Sequence, residues 1–245
     1  MSEAIVVENK KRLTKILETI NPALRMWERW EAMMHIIACI LSIPVETDRA
    51  IRERRRDTFN HYMEILNNEE AVSEFFDVLI ETIEENPCED VLGELYMSLR
   101  LGDHWKGQYF TPSNVAELMA SITMDKEIIE RKKSDGEQFS IHDSCCGAGV
   151  MLLAGAKVLK ENGVNYQTEA LYVGQDIDRI ASLMCFIQLS LNGCIGYICI
   201  ANSLTNPVIH DENGKIIVQP GQEFWFTPMW QISKSIQGKK RKRTA

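Results

Sequence analysis

The sequence has no long apolar run. No stretch approaches the roughly eighteen residues that a membrane-spanning helix needs, and the acidic N-terminus does not resemble a secretion signal. These absences predict that the chain has no membrane partner and, by default, a cytoplasmic location. With 245 residues, of which 45% are hydrophobic and 25% are charged, the chain can bury a substantial globular core.

Cysteines with paired spacing are also lacking. The seven cysteines are an odd number and contain no Cys-x-x-Cys, which argues against a disulfide framework and against zinc, so no metal is expected. Cys145 and Cys146 are adjacent, so their side chains diverge and would chelate an ion poorly. We interpret them as small packing residues in a tight loop.

Acidic residues outnumber basic ones, with 35 Asp and Glu against 27 Lys and Arg. The formal net charge of −8 is unfavourable for DNA binding, because phosphate contacts supply most of that affinity. Basic residues are nevertheless concentrated in an arginine cluster (Arg49, Arg52, Arg54, Arg55 and Arg56) and in a basic tail, residues 239–243. Either could contact a phosphate backbone; the alternative in both cases is solvated surface.

Apolar residues at helical spacing dominate the first part of the chain, from about residue 7 to residue 101. The stripes are Leu13, Ile16, Leu17 and Ile20; Trp27, Trp30, Met34, Ile37, Ile40 and Leu41; and Phe75, Phe76, Leu79 and Ile83. We expect a helical N-terminal domain over residues 1–101, with these side chains in its core.

From Gln138 onward, short apolar strands alternate with helices. The predicted strands are 139–142, 171–175, 197–201 and 223–226, and the predicted helices are 150–161 and 178–191. The alternation predicts an α/β domain over residues 102–232, with a parallel sheet and right-handed crossovers, followed by the basic C-terminal segment 233–245. Asn213-Gly214 between two apolar pairs predicts an inserted β-hairpin.

Residues 141–153 have the pattern of a strand, a glycine turn and a helix start. Asp143 ends the strand, and Gly147 and Gly149 form a turn that a ligand can approach closely. A second strand ends in Gly174-Gln175-Asp176, with a carboxylate placed to accept hydrogen bonds from ribose hydroxyls. Together the two segments predict a nucleoside-cofactor site.

A third segment, Gly107-Gln108-Tyr109-Phe110-Thr111-Pro112, lies upstream of the glycine loop. In this order the three segments resemble the N6-adenine DNA methyltransferases similar to the modification subunit of type I restriction–modification systems. The resemblance runs from about Asp90 to about Asn206. It implies a Rossmann-like methyltransferase sheet that uses S-adenosylmethionine as its cofactor.

The resemblance also implies which residues contact the cofactor. Tyr109 and Phe110 would wall the pocket beside Thr111 and Pro112, Asp143 would lie near the methionine moiety, and Asp176 would bind the ribose. The oxygen of Asn202 would accept from the adenine amino group. The full implied set is Tyr109, Phe110, Thr111, Pro112, Asp143, Cys145, Gly147, Gly149, Asp176, Ile177, Asn202, Ser203 and Leu204.

Two of these assignments have structural alternatives. Asp176 could be the N-cap of a helix that starts at Ile177. Tyr109 and Phe110 could simply pack in the core.

The family's catalytic Asn-Pro-Pro-Tyr/Phe motif is absent. After the predicted strand 223–226 stands Thr227-Pro228-Met229-Trp230. Pro228 could still offer its carbonyl to an adenine amine and Trp230 could stack on a flipped base, but the Thr227 hydroxyl is a shorter, weaker substitute for an amide. Asn206-Pro207 comes too soon after the third strand to be the same element.

The family continues with three more strands and a target-recognition region, whereas only residues 231–245 follow Trp230 here. We therefore expect a truncated sheet that lacks most of its substrate half; a partner subunit could supply the missing part, or the chain could be a degenerate binding module.

Two functions follow from these expectations. The first is a catalytically degenerate or partner-dependent protein that binds S-adenosylmethionine. The alternative is an active site-specific adenine-N6 methyltransferase that uses Thr-Pro-Met-Trp. An oxidoreductase is disfavoured because no Gly-x-Gly-x-x-Gly occurs.

Overall fold

The computed structural model describes residues 2–101, 110–212 and 214–234. The N-terminal part is helical as predicted, with helices α1 (Ser2–Thr19), α2 (Met26–Ser42), α3 (Arg49–Leu66), α4 (Glu69–Glu85) and α5 (Val91–Ser98). Short polar side chains start several of them; Asp48, for example, accepts from the N–H groups of Ala50 and Ile51 at the start of α3.

The second part alternates helices and strands. Its elements are α6 (Ser113–Thr123), α7 (Lys126–Asp135), β1 (Phe139–Asp143), α8 (Val150–Glu161), β2 (Ala170–Asp176), α9 (Arg179–Leu191), β3 (Ile195–Ile200), β4 (Ile209–His210), β5 (Ile216–Ile217) and β6 (Glu223–Phe226). The predicted hairpin is confirmed as the β4–β5 pair, with Gly214 at a φ of +73°. Residues 228–234 are helical.

The main sheet has the order β1-β2-β3-β6. The first three strands are parallel, so Asp143 and Asp176 end neighbouring strands at one carboxyl edge. The fourth strand is antiparallel to β3, and the prediction of an all-parallel sheet is therefore wrong for β6. The reason lies in the segment 201–222, whose described residues form a hairpin and no helix, whereas a parallel neighbour needs a crossover of about a dozen residues or more, usually a helix.

Helices α8 and α9 cover one face of the sheet, and the core there continues without a break into the N-terminal helices. Most of the stripe residues predicted for that core are buried. Ile40, Leu41 and Phe76 are partly buried against it, and Trp27 is not buried, since 51% of it is exposed. The opposite face carries a smaller cluster around Tyr197 and Phe224, covered in part by the hairpin and by Trp230. Within the described ranges, no helix is long and apolar enough to cross a bilayer.

The arginine cluster does not form one exposed basic surface. Arg55 is buried, where it pairs with Glu46 at 2.7 Å, donates to the carbonyl oxygen of Phe224 at 3.0 Å and lies 4.1 Å above the Trp225 ring. Arg52 donates to the backbone of Glu46. Neither alternative, phosphate contact or solvated surface, holds for Arg55, which instead fastens α3 to the edge of β6.

Candidate functional site

The glycine loop, residues 143–149, connects β1 to α8 at the carboxyl edge of the sheet. Gly147 and Gly149 have φ angles of +51° and +100°, in the region that glycine adopts readily. A Cβ on Gly149 would lie 2.7 Å from the Sγ of Cys185, so any other residue there would have a strained backbone and would have to displace the Cys185 side chain. This geometry confirms the predicted strand, turn and helix start.

Asp176 touches the glycine loop directly. One carboxylate oxygen accepts from the N–H of Gly147 at 2.8 Å and the other from the N–H of Asp178 at 2.9 Å. A carboxylate has about four lone-pair sites, so these bonds leave acceptor capacity on both oxygens. The N-cap alternative for Asp176 is wrong, because α9 begins at Arg179 and the side chain of Asp178 caps it.

Phe110 brings the upstream segment to the same loop. A Cβ on Gly147 would lie 3.2 Å from the Phe110 ring, and the ring also packs 5.2 Å from Tyr96. Thr111 and Pro112 are exposed at the start of α6. Tyr109 lies outside the described residues.

The loop after β3 contributes Asn202, Ser203 and Leu204. The Asn202 oxygen accepts from the N–H groups of Leu204 and Thr205, at 2.9 and 3.2 Å. The acceptor expected for an adenine amino group is thus already used inside this loop. Ser203 Oγ lies 3.9 Å from the Sγ of Cys145, which joins the loop to the glycine loop.

Two large apolar side chains at this edge are open to solvent. Ile177 is 68% exposed and Leu204 is 92% exposed, and both lie in loops that follow parallel strands. Cys146 is buried, as expected of a packing residue, but Cys145 is exposed and the packing interpretation is wrong for it. The site therefore combines hydrogen-bond acceptors with apolar surface suited to a planar ring.

Thr227, Pro228 and Trp230 are not brought to this edge. Thr227 is fully buried, and its hydroxyl donates to the carbonyl of Cys194 and accepts from the N–H of Gly196, at the amino end of β3. Trp230 packs 5.4 Å from Tyr197. Because β6 is antiparallel, it ends at the opposite edge. Thr227 lies beside Gly196, which is six residues, or about 20 Å at roughly 3.3 Å per residue, from Asn202.

Two buried glutamines that the sequence interpretation overlooked support the loops. Gln175 donates to the carbonyl of Asn206 at 2.9 Å and accepts from the N–H of Val208 at 3.1 Å. Gln188 donates to the carbonyl of Ala148 at 2.9 Å. The sequence does contain a signal for them, since each glutamine lies inside an otherwise apolar element, and a buried polar side chain needs hydrogen-bond partners.

The first residue of β6 also supports the site. Arg179, which follows the Asp176 loop, donates two hydrogen bonds to Glu223 at 3.0 and 2.6 Å. Burial opposes ionisation of Glu223, but the bonds from Arg179 outweigh it and the pKa of Glu223 is lowered. The carboxylate therefore stays ionised and holds the start of α9.

A comparison with protein families matches residues 89–241 to the N-6 DNA methylase family. The match spans more than half of the chain and includes the glycine loop, Asp176 and the loop after β3. The chain belongs to the N-6 DNA methylase family. A search of curated proteins finds no match to this chain. Membership confirms the family resemblance drawn from the three motifs, and the four-stranded mixed sheet with its helices confirms the predicted α/β class.

Proposed function

We propose that the chain binds S-adenosylmethionine at the carboxyl edge of β1, β2 and β3. The observation that carries the proposal is the bond between Gly147 and Asp176, because it holds the carboxylate that we propose for the ribose beside a glycine loop that a ligand can approach closely. Family membership supports the same cofactor.

The described residues fit this group. The remaining lone pairs of Asp176 suit two ribose hydroxyls, and Ile177 and Leu204 offer exposed apolar surface for the adenine ring. Asn202 would present its amide N–H to a ring nitrogen, since its oxygen is engaged with Leu204 and Thr205. When bound, the cofactor supplies the methyl group for transfer to an adenine amine.

We further propose that the acceptors for the target adenine come from another chain. Thr227 is buried at the opposite edge of the sheet. Asn206 is held within its own loop, where it donates to the carbonyl of Pro220 at 2.9 Å and its own carbonyl accepts from Gln175. Thr227 is therefore not placed to hold an amine beside Asp176, and the side-chain nitrogen of Asn206 is already bonded to Pro220.

The edge of β1 is where such a partner would dock. Among the described strands of the main sheet, β1 and β6 are each paired on one side only, and Arg55 of α3 already occupies the outer side of β6. The exposed apolar residues of α6, the helix that packs on α8, supply a stripe at helical spacing: Val115, Leu118, Met119 and Ile122. An added strand would satisfy the open backbone of β1 while its neighbouring segment covers the stripe.

Calorimetric titration of the chain with S-adenosylmethionine tests cofactor binding, and incubation with tritiated cofactor and DNA tests catalysis. We expect binding without label on adenine for the chain alone. Absence of binding would overturn the cofactor assignment. Label on adenine that is abolished in Asp176→Ala would overturn the dependence on a partner.

A further inference from the structure

The side chain of Gln188, on helix α9, forms a hydrogen bond with the backbone of the glycine loop. We propose that Gln188 is a positioning residue, which fixes the conformation of the loop and ties it to helix α5. The inference rests on the proposed function, because it gives this loop the role of holding the cofactor.

Gln188 lies on α9 and is fully buried. Its amide nitrogen donates to the carbonyl of Ala148 at 2.9 Å and to a carboxylate oxygen of Asp90 at 2.8 Å. Its oxygen accepts from the N–H of Leu92 at 3.0 Å. Both N–H groups of the side chain are therefore used, one on the glycine loop and the other at the start of α5.

Ala148 stands between the two glycines of the loop that have positive φ. Glycine readily adopts other conformations, so the backbone there needs external bonds to remain in one of them. The N–H of Gly147 is held from the sheet side by Asp176, and the carbonyl of Ala148 is held from the helix side by Gln188. The loop is thus clamped between β2 and α9.

The second N–H of Gln188 reaches the N-terminus of α5. Asp90 caps this helix by accepting from the N–H of Gly93 at 2.9 Å, with the same oxygen that accepts from Gln188. In the sequence, helix α5 precedes the upstream segment 107–112, and Phe110 of that segment lies against Gly147. Gln188 therefore joins the glycine loop to the helix that leads into the upstream segment of the candidate site.

The loop offers a direct readout, because its backbone amides are hydrogen-bonded. The N–H groups of Cys145 and Gly147 donate to the carboxylates of Asp143 and Asp176. Those of Cys146 and Gly149 donate to the backbone carbonyls of Gln175 and Cys146. Bonded amides exchange slowly with solvent deuterium, and exchange accelerates when a segment opens locally.

The test compares Gln188→Met with Gln175→Met in cofactor-free protein. Methionine keeps the length and bulk of glutamine but removes its hydrogen bonds. We expect amides of the glycine loop to exchange about tenfold faster in Gln188→Met, with α8 and residues 201–208 unchanged. Gln175→Met is the matched control, and it should accelerate exchange in 201–208 and leave the glycine loop as in the wild type.

Exchange of the glycine loop at the wild-type rate in Gln188→Met, or equal acceleration at all amides, would overturn the proposal. If Gln188→Met does not fold, the wild type decides by nuclear magnetic resonance. Side-chain amide protons of Gln188 that exchange as slowly as core backbone amides support the clamp, and exchange as fast as in exposed glutamines overturns it.

The cofactor titration separates this inference from the proposed function. We expect Gln188→Met to bind S-adenosylmethionine about tenfold more weakly than the wild type. Failure of the wild type to bind would overturn the proposed function and leave the exchange result standing. Wild-type affinity in Gln188→Met would instead overturn the positioning role.

Discussion

The backbone N–H of Gly147 donates to the carboxylate of Asp176 at 2.8 Å, so the turns that follow β1 and β2 are joined directly. A charge-assisted bond of this kind is stronger than one between neutral groups. Asp176 therefore shapes the glycine loop in addition to facing the place proposed for the ribose.

Replacing Asp176 by Ala should weaken binding of S-adenosylmethionine by about 1.5–3 kcal/mol, because a charged acceptor is removed. Calorimetry measures the change. Asp125→Ala is the matched control, since Asp125 also accepts from a backbone N–H, that of Ile128, but caps α7. Equal affinity in Asp176→Ala and the wild type would show that the ribose assignment is mistaken.

Thr227 should matter for stability and not for cofactor affinity. Thr227→Val preserves shape but leaves the N–H of Gly196 and the carbonyl of Cys194 without their partner, at a cost of about 1–3 kcal/mol. Urea unfolding measures the decrease in stability, and calorimetry checks that affinity is unchanged. A specific loss of methyl transfer with unchanged stability would instead restore Thr227 as a catalytic residue.

Arg55→Ala should destabilise the fold by about 3–5 kcal/mol, because it leaves the buried carboxylate of Glu46 without its partner. The control is Arg56→Ala, an exposed position on the same helix, with an expected change within about 0.5 kcal/mol. Urea unfolding of both variants is the measurement. Similar midpoints for the two would contradict the pairing.

Asp90 should make stability depend on pH. Burial raises the pKa of its carboxyl above the ordinary value of 3.8, despite bonds from Gln188 and Gly93. The folded state thus binds the proton more tightly, and this contribution to stability is present below the unfolded pKa and disappears as pH rises through the folded pKa. In Asp90→Asn the side chain is an amide that does not titrate, so this contribution to the pH dependence of stability is absent.

Thermal unfolding of the wild type and Asp90→Asn from about pH 4 to pH 7 checks this expectation. The difference in melting temperature should shift in favour of Asp90→Asn as pH rises. A shift in the opposite direction would mean that the two donated hydrogen bonds outweigh burial.

The basic tail, residues 239–243, lies outside the described residues but can be tested by deletion. If it binds DNA, the deletion should remove most of the affinity and reduce the slope of log K against log salt concentration by about 0.9 for each phosphate that the tail neutralises. Fluorescence anisotropy over a series of salt concentrations gives both quantities. Unchanged affinity and slope would exclude the tail as the DNA-binding segment.

Local sequence pattern was sufficient to predict the elements around the glycine loop. The predicted helix 150–161 has the observed bounds, and the predicted strands agree with β1, β2 and β3 to within two residues. These segments are apolar and bounded by turn residues, and the positive φ angles of Gly147 and Gly149 are a local property of the turn. Such information is contained within a few neighbouring residues.

The direction of β6 and the role of Arg55 were not predicted, since both depend on contacts between distant segments. The strand pattern of residues 223–226 is the same in either direction, and the direction follows from the hairpin that precedes it. Arg55 resembles its exposed neighbours in sequence, and only the position of Glu46 and Phe224 makes it a buried residue. The roles of Gln175 and Gln188 were not predicted for the same reason, because their hydrogen-bond partners are distant in the sequence.

The bond from Arg55 to the carbonyl of Phe224 covers part of one edge strand of the sheet, β6. The two edge strands therefore differ in how easily they could pair with another copy of the chain. Helix α3 shields the outer side of β6 at this bond. The N-terminal helices therefore hinder strand-to-strand aggregation at that edge of the sheet. Separating residues 1–101 from the rest would expose that strand. The N-terminal helices should therefore be retained when the protein is shortened for study.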